Sequence, residues 1–116
     1  MPKIIRSETY NPKDLSAAEL TALIDQLYSV HQEIFAGVDR AEFARYVVQS
    51  PADKTRVRVS YGEGGELAGY VAVHAFRRTF RGEQCTVTRA EAGLRRRYRG
   101  DGAMATFVLS QLLKTQ

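Results

Sequence analysis

The sequence is poor in the residues that staple or anchor a chain. Cys85 is the single cysteine among 116 residues, which excludes an intrachain disulfide framework and a cysteine-rich zinc site. The two histidines, His31 and His74, are too few to mark a metal centre. Residues 1–14 lack the apolar core of a secretory signal. No hydrophobic run approaches the roughly 18 residues of a membrane span. The expectation is a soluble, cytoplasmic protein without membrane contact. Two phosphate-binding signatures are also missing. No G-K-S/T follows the glycines, so there is no P-loop, and consecutive hairpins supply no βαβ unit for a dinucleotide fingerprint.

What is present suits one globular domain spanning residues 1–116. A chain of 13.0 kDa buries about two thirds of its unfolded surface, enough for a two-layer core. A hydrophobic share of 44% and a charged share of 26% exclude a disordered tail. The formal charge of +4 is unevenly placed, because eight of the thirteen arginines fall between Arg77 and Arg99. That concentration points to an anionic partner at this stretch.

Periodicity divides the chain. A short strand is expected near Lys3–Arg6. Ser16 and Glu19 form a capping box, and Leu20, Leu23, Ile24, Leu27, Val30 and Ile34 follow at helical spacing for about 18 residues. Gly37 ends that helix. Asp39 with Glu42 opens a second, carrying Phe43, Tyr46 and Val47 on one side, and Ser50-Pro51 stops it. The period then changes to two. Val57, Val59 and Tyr61 alternate with Arg56, Arg58 and Ser60, a half-buried strand. Leu67–Phe76 is apolar on both faces, as a covered central strand should be. Arg77–Gly82 connects it to a third strand at Gln84–Ala92, with Cys85 and Val87 on one face. Ala103–Lys114 is the last helix. The fold class is therefore α/β, in α+β layers: two N-terminal helices, an antiparallel strand meander, then a helix.

Between the third strand and that helix the chain reads Leu94-Arg95-Arg96-Arg97-Tyr98-Arg99-Gly100-Asp101-Gly102. Gly100 and Gly102 let the backbone approach a ligand closely, at a helix N-terminus whose free N–H groups favour an anion. The arginines crowd the same spot. A pyrophosphate suits such a loop; a solvated basic turn is the plainer alternative.

Arg97-Tyr98-Arg99-Gly100-Asp101-Gly102 resembles the Q/R-x-x-G-x-G/A motif of the GCN5-related N-acetyltransferase (GNAT) superfamily, with Arg96 where proline is common. The order of elements is similar over essentially the whole length. The resemblance implies an acyl-CoA N-acyltransferase-like fold and transfer of acetyl from acetyl-CoA to a small-molecule or peptide amine. It implies that Arg97, Tyr98, Arg99, Gly100, Asp101, Gly102 and Ala103 bind the pyrophosphate. Ala92, Gly93 and Leu94 would pair with the pantetheine arm. Members of the superfamily continue beyond such a helix with further strands. A domain incomplete at its C-terminus is thus expected, with either a missing segment or a homo-oligomer built on the uncovered strand edge.

Acyl transfer needs a base for the amine and a proton for the thiolate. Glu91 resembles the base of some members and equally suits local charge balance; Glu83 stands in the preceding turn. His74 shares a strand face with Tyr70 and Phe76 and reads as a strand-surface or partly buried histidine. His31 reads as surface, and Cys85 as a small buried residue. Tyr98 either meets the cofactor or packs the helix start. Two other functions compete with the enzyme. One is a truncated or non-catalytic member acting as a binding module. The other is nucleic-acid binding through Arg77, Arg78, Arg81 and Arg95–Arg99 with Phe80 and Tyr98 interleaved. A ten-residue strand holds those two arginine groups roughly 30 Å apart, so they form one patch only with help from folding or dimerisation.

Overall fold

The computed structural model describes residues 3–35 and 37–98. The motif residues Arg99, Gly100, Asp101, Gly102 and Ala103, and the helix expected at 103–114, lie outside the described residues. The described part is α+β. Its elements are β1 (Ile4–Tyr10), α1 (Ala17–Ile34), α2 (Arg40–Phe43), β2 (Lys54–Gly62), β3 (Leu67–Phe80) and β4 (Glu83–Leu94). The sheet runs β1-β2-β3-β4, with every neighbouring pair antiparallel.

The capping box of α1 forms as expected. Ser16 Oγ accepts from the Glu19 N–H at 3.1 Å, and Glu19 Oε1 accepts from the Ser16 N–H at 3.0 Å. Leu23, Ile24, Leu27 and Val30 of this helix are buried against Val57, Val59, Tyr70 and Ala72 of the sheet. Asp39 caps α2 by accepting from the Glu42 N–H at 2.8 Å. Beyond Phe43 the helix widens into a π-helical stretch, Ala44–Val48. The wider turn changes the buried set to Phe43, Ala44, Val47 and Val48. Tyr46, expected on the inner side, is 54% exposed.

β3 is the central strand anticipated, with Tyr70 and Ala72 buried on the helical face and Val71 and Val73 on the other. It is longer than expected. Arg77–Phe80 continue the strand, and only Arg81 and Gly82 turn, at φ 52° and 81°. Positive φ at both central residues suits a two-residue hairpin, whose twist matches that of the strands. From Arg77 to Val87 both strands run exposed. Cys85, expected in the core, is exposed on this ribbon for the same reason.

Candidate functional site

The antiparallel register sets side chains of three strands in rows on the helical face. Thr55, His74 and Arg89 form one row across β2, β3 and β4. Val57, Ala72 and Glu91 form the next, and Val59, Tyr70 and Gly93 the one after. His74, expected at or near the surface, is fully buried at 0% exposure. Its two ring nitrogens reach across rows. Nδ1 lies 3.0 Å from Thr55 Oγ1, and Nε2 lies 2.9 Å from Glu91 Oε2. A carboxylate only accepts, so a neutral imidazole carries its proton on Nε2 and accepts a hydrogen bond from the Thr55 hydroxyl at Nδ1.

Glu91 is partly accessible, with its other oxygen, Oε1, 2.6 Å from Arg89 Nε in an ion pair. Arg89 is itself fixed. Its Nη2 donates to the Tyr46 carbonyl at 2.9 Å, and its guanidinium stacks 4.0 Å from the centre of the Tyr46 ring. Glu91 is thus a carboxylate held in one orientation on both sides.

Tyr46 also lines a cleft of about 520 Å³ with His31, Val38, Glu42, Phe43, Arg45 and Val47. The cleft therefore borders the Arg89–Glu91 pair through the Tyr46 ring. His31, expected on the surface, sits at its wall. Nδ1 is 3.0 Å from the Tyr70 hydroxyl, whereas Nε2 is buried without a hydrogen-bond partner among the described residues. Desolvation lowers the His31 pKa below its ordinary value and so favours neutral imidazole. Burial, and then the charge of Glu91, raise the Tyr70 hydroxyl far above the usual tyrosine range. Gly93 makes room for Tyr70, because a Cβ there would stand 2.6 Å from its ring.

The remaining predicted residues lie at the end of β4. Ala92 is exposed, Gly93 buried and Leu94 half-buried. All three pair with β3 and have no strand on their outer side among the described residues. The chain then turns, the Arg95 N–H donating to the Ala68 carbonyl at 2.9 Å and the Tyr98 N–H to the Arg95 carbonyl at 2.9 Å. The Arg95 guanidinium is taken by Glu33 at 2.7 Å and Glu66 at 3.5 Å. Tyr98 is buried over Gly62 and donates to Glu66 Oε2 at 2.6 Å. Its ring thus packs this turn against β2. Glu83 is exposed at the opposite end of β4, remote from Glu91.

Sequence reading reached Glu91 but not its setting. His74, Arg89 and His31 were not grouped with it. One signal existed for His31, which follows Leu27 by four residues and Val30 by one on the apolar side of α1. Nothing local joins Thr55 to His74 or Arg89 to Tyr46. Among the described residues there is no group of three or more metal-binding side chains. No helix among them is long and apolar enough to cross a membrane.

No protein-family model and no curated protein matches the sequence. Solved structures do resemble the fold. A point mutant of the BH1408 protein from Bacillus halodurans aligns over 96% of this chain and 74% of its own, at TM-score 0.55 and 15% identity. A tetramutant of the same protein aligns over 97% of this chain and 79% of its own, at TM-score 0.54 and 15% identity. At that identity the likeness is one of fold.

Proposed function

We propose that the chain is an acyl-CoA-dependent N-acyltransferase that moves acetyl from acetyl-CoA to an amine, on an acyl-CoA N-acyltransferase-like fold. The observation that carries this reading is Glu91. It is a largely buried carboxylate, 19% exposed with Oε1 itself buried, contacted by His74 and Arg89 two residues before Gly93 and set behind the Tyr46 ring that lines a cleft. In the reaction Glu91 takes a proton from the ammonium form of the acceptor. The neutral amine attacks the thioester carbonyl, the C–N bond forms, and the C–S bond breaks with its electron pair going to sulfur. As the adduct collapses, the nitrogen gives its second proton to solvent, and solvent protonates the thiolate, leaving amide, thiol and the one proton held by Glu91. The cleft at Phe43 and Tyr46 receives the body of the acceptor amine. The outer edge of Ala92-Gly93-Leu94 offers backbone groups to the pantetheine arm, and Arg97 through Ala103 take the pyrophosphate.

One observation favours a second reading, a non-catalytic binding module. Both Glu91 oxygens already have partners, so a purely structural carboxylate would look the same. Titration calorimetry with acetyl-CoA, joined to an acetyl-transfer assay on mixed primary amines, separates the two. Binding with turnover supports the enzyme, binding without turnover supports the module, and no heat at millimolar acetyl-CoA rejects both.

A further inference from the structure

β4 is an outer strand of the described sheet, and several of the features that block edge pairing are missing from it. It runs for 12 residues, Glu83–Leu94, without proline or lysine, and its register with β3 has no bulge. Thr86, Val87 and Thr88 are β-branched residues suited to a pleated strand. Among the described residues nothing pairs with its outer side. An edge so long and regular is a template for another strand.

We propose that a second copy of this chain fills that edge, pairing antiparallel with Thr86 on the two-fold axis. Symmetry limits the choices. Two antiparallel edge strands related by a two-fold have the axis perpendicular to the sheet, so opposing residues share a face and the register moves in steps of two. Glu83, Cys85, Val87, Arg89 and Glu91 lie on the helical face, opposite Phe80, Arg78, Phe76, His74 and Ala72 of β3. With Thr86 on the axis, Glu83 of each copy stands opposite Arg89 of the other. Cys85 meets Val87, which is 50% exposed in the single chain, and Gln84 meets Thr88 on the other face.

The neighbouring registers fail on charge. Cys85 on the axis sets Glu83 against Val87 and leaves Arg89 opposite the hairpin turn without a charge partner, and Val87 on the axis sets Glu83 against Glu91. Like charges directly opposite destabilise a strand pair, whereas opposite charges support it. The chosen register pairs residues 83–89 of each copy, a usual strand length. It leaves Ala92-Gly93-Leu94 unpaired, so the dimer and the proposed cofactor contact do not compete. The pairing itself does not depend on the acyltransferase reading.

The test is disulfide trapping of the intact chain. Directly opposed residues in an antiparallel pair have Cα atoms about 4.5–5.5 Å apart, within disulfide reach. Cys85→Ser/Thr86→Cys is therefore expected to oxidise to a covalent dimer. Cys85→Ser/Gln84→Cys is expected to stay monomeric on a non-reducing gel, because its cysteines sit four residues out of register. Sedimentation equilibrium of the parent chain should show a dimer at tens of micromolar, and Glu83→Arg should raise its dissociation constant about tenfold. A monomer throughout that range overturns the proposal. So does trapping as fast at position 84 as at 86, or a dimer indifferent to Glu83→Arg.

Discussion

His74 and Glu91 belong to different rows of the sheet, yet their side chains meet. His74 pairs in register with Arg89 and Glu91 with Ala72, but the imidazole leans diagonally so that Nε2 lies 2.9 Å from Glu91 Oε2. Ala72 is small enough to leave that diagonal open. One carboxylate oxygen is thereby occupied from inside the core, and the other faces Arg89 near the cleft. Glu91 is thereby held from both sides, and under the proposed mechanism that fixed position is what a general base needs.

Glu91→Gln keeps the shape and hydrogen-bonding reach of the side chain but removes the base. Acetyl transfer is expected to fall by about a hundredfold or more, while the dissociation constant for acetyl-CoA stays within a factor of two or so. Rates on the best amine and calorimetry on the same sample check this. An unchanged rate takes Glu91 out of the mechanism.

Thr55→Val preserves volume and deletes the partner of His74 Nδ1 in a site that is 0% exposed. A buried nitrogen left unsatisfied costs about 1–3 kcal/mol. Urea unfolding should show that loss for valine, and most of it recovered in Thr55→Ser. Equal stabilities of the valine and serine variants would mean that the hydroxyl is not what holds the ring.

Gly62→Ala is expected to destabilise by about 1–3 kcal/mol, the cost of overpacking a filled site. A Cβ there would overlap the Tyr98 ring, which is buried. Combining it with Tyr98→Ala should remove most of the additional penalty, because the obstructing ring is gone. A double-mutant cycle in denaturant measures the coupling.

Stability should fall on acidification through His31. Its folded pKa is lowered by desolvation from an ordinary value of 6.5. The unfolded chain therefore binds the proton more readily, so this contribution is present above about pH 6.5 and is lost as the pH falls below it. Denaturant midpoints from pH 5 to 8 should show a slope that His31→Gln flattens. An identical slope in the variant assigns the effect to another group.

Much of the fold was written in local pattern. The Ser16–Glu19 capping box, the helical spacing from Leu20 to Ile34 and the change to period two at Val57 need only neighbouring residues, and those elements stand where the pattern puts them. The limits of elements were less legible. Arg77–Phe80 read as a connection because Arg77 and Arg78 end the apolar run, but on a ribbon beyond the helical layer strand residues need not be apolar. Tyr46 was misplaced because a π-helical turn shifts the face, and spacing rules assume 3.6 residues per turn throughout.

The sequence by itself determined the layered α+β character, the caps and the position of Glu91 near the end of a strand. Only the tertiary structure decided what surrounds that carboxylate. Thr55, His74 and Arg89 are separated by 19 and 15 positions, and they share a row solely because of the strand register. Register depends on which faces bury together and on the two-residue turn at Arg81-Gly82. His31 and Tyr70 meet across 39 positions because α1 packs its apolar face on the sheet. Local sequence specifies dihedral preference and amphipathic side; the company a buried polar group keeps is set by packing of distant segments, where an unpaired hydrogen-bonding atom is costly.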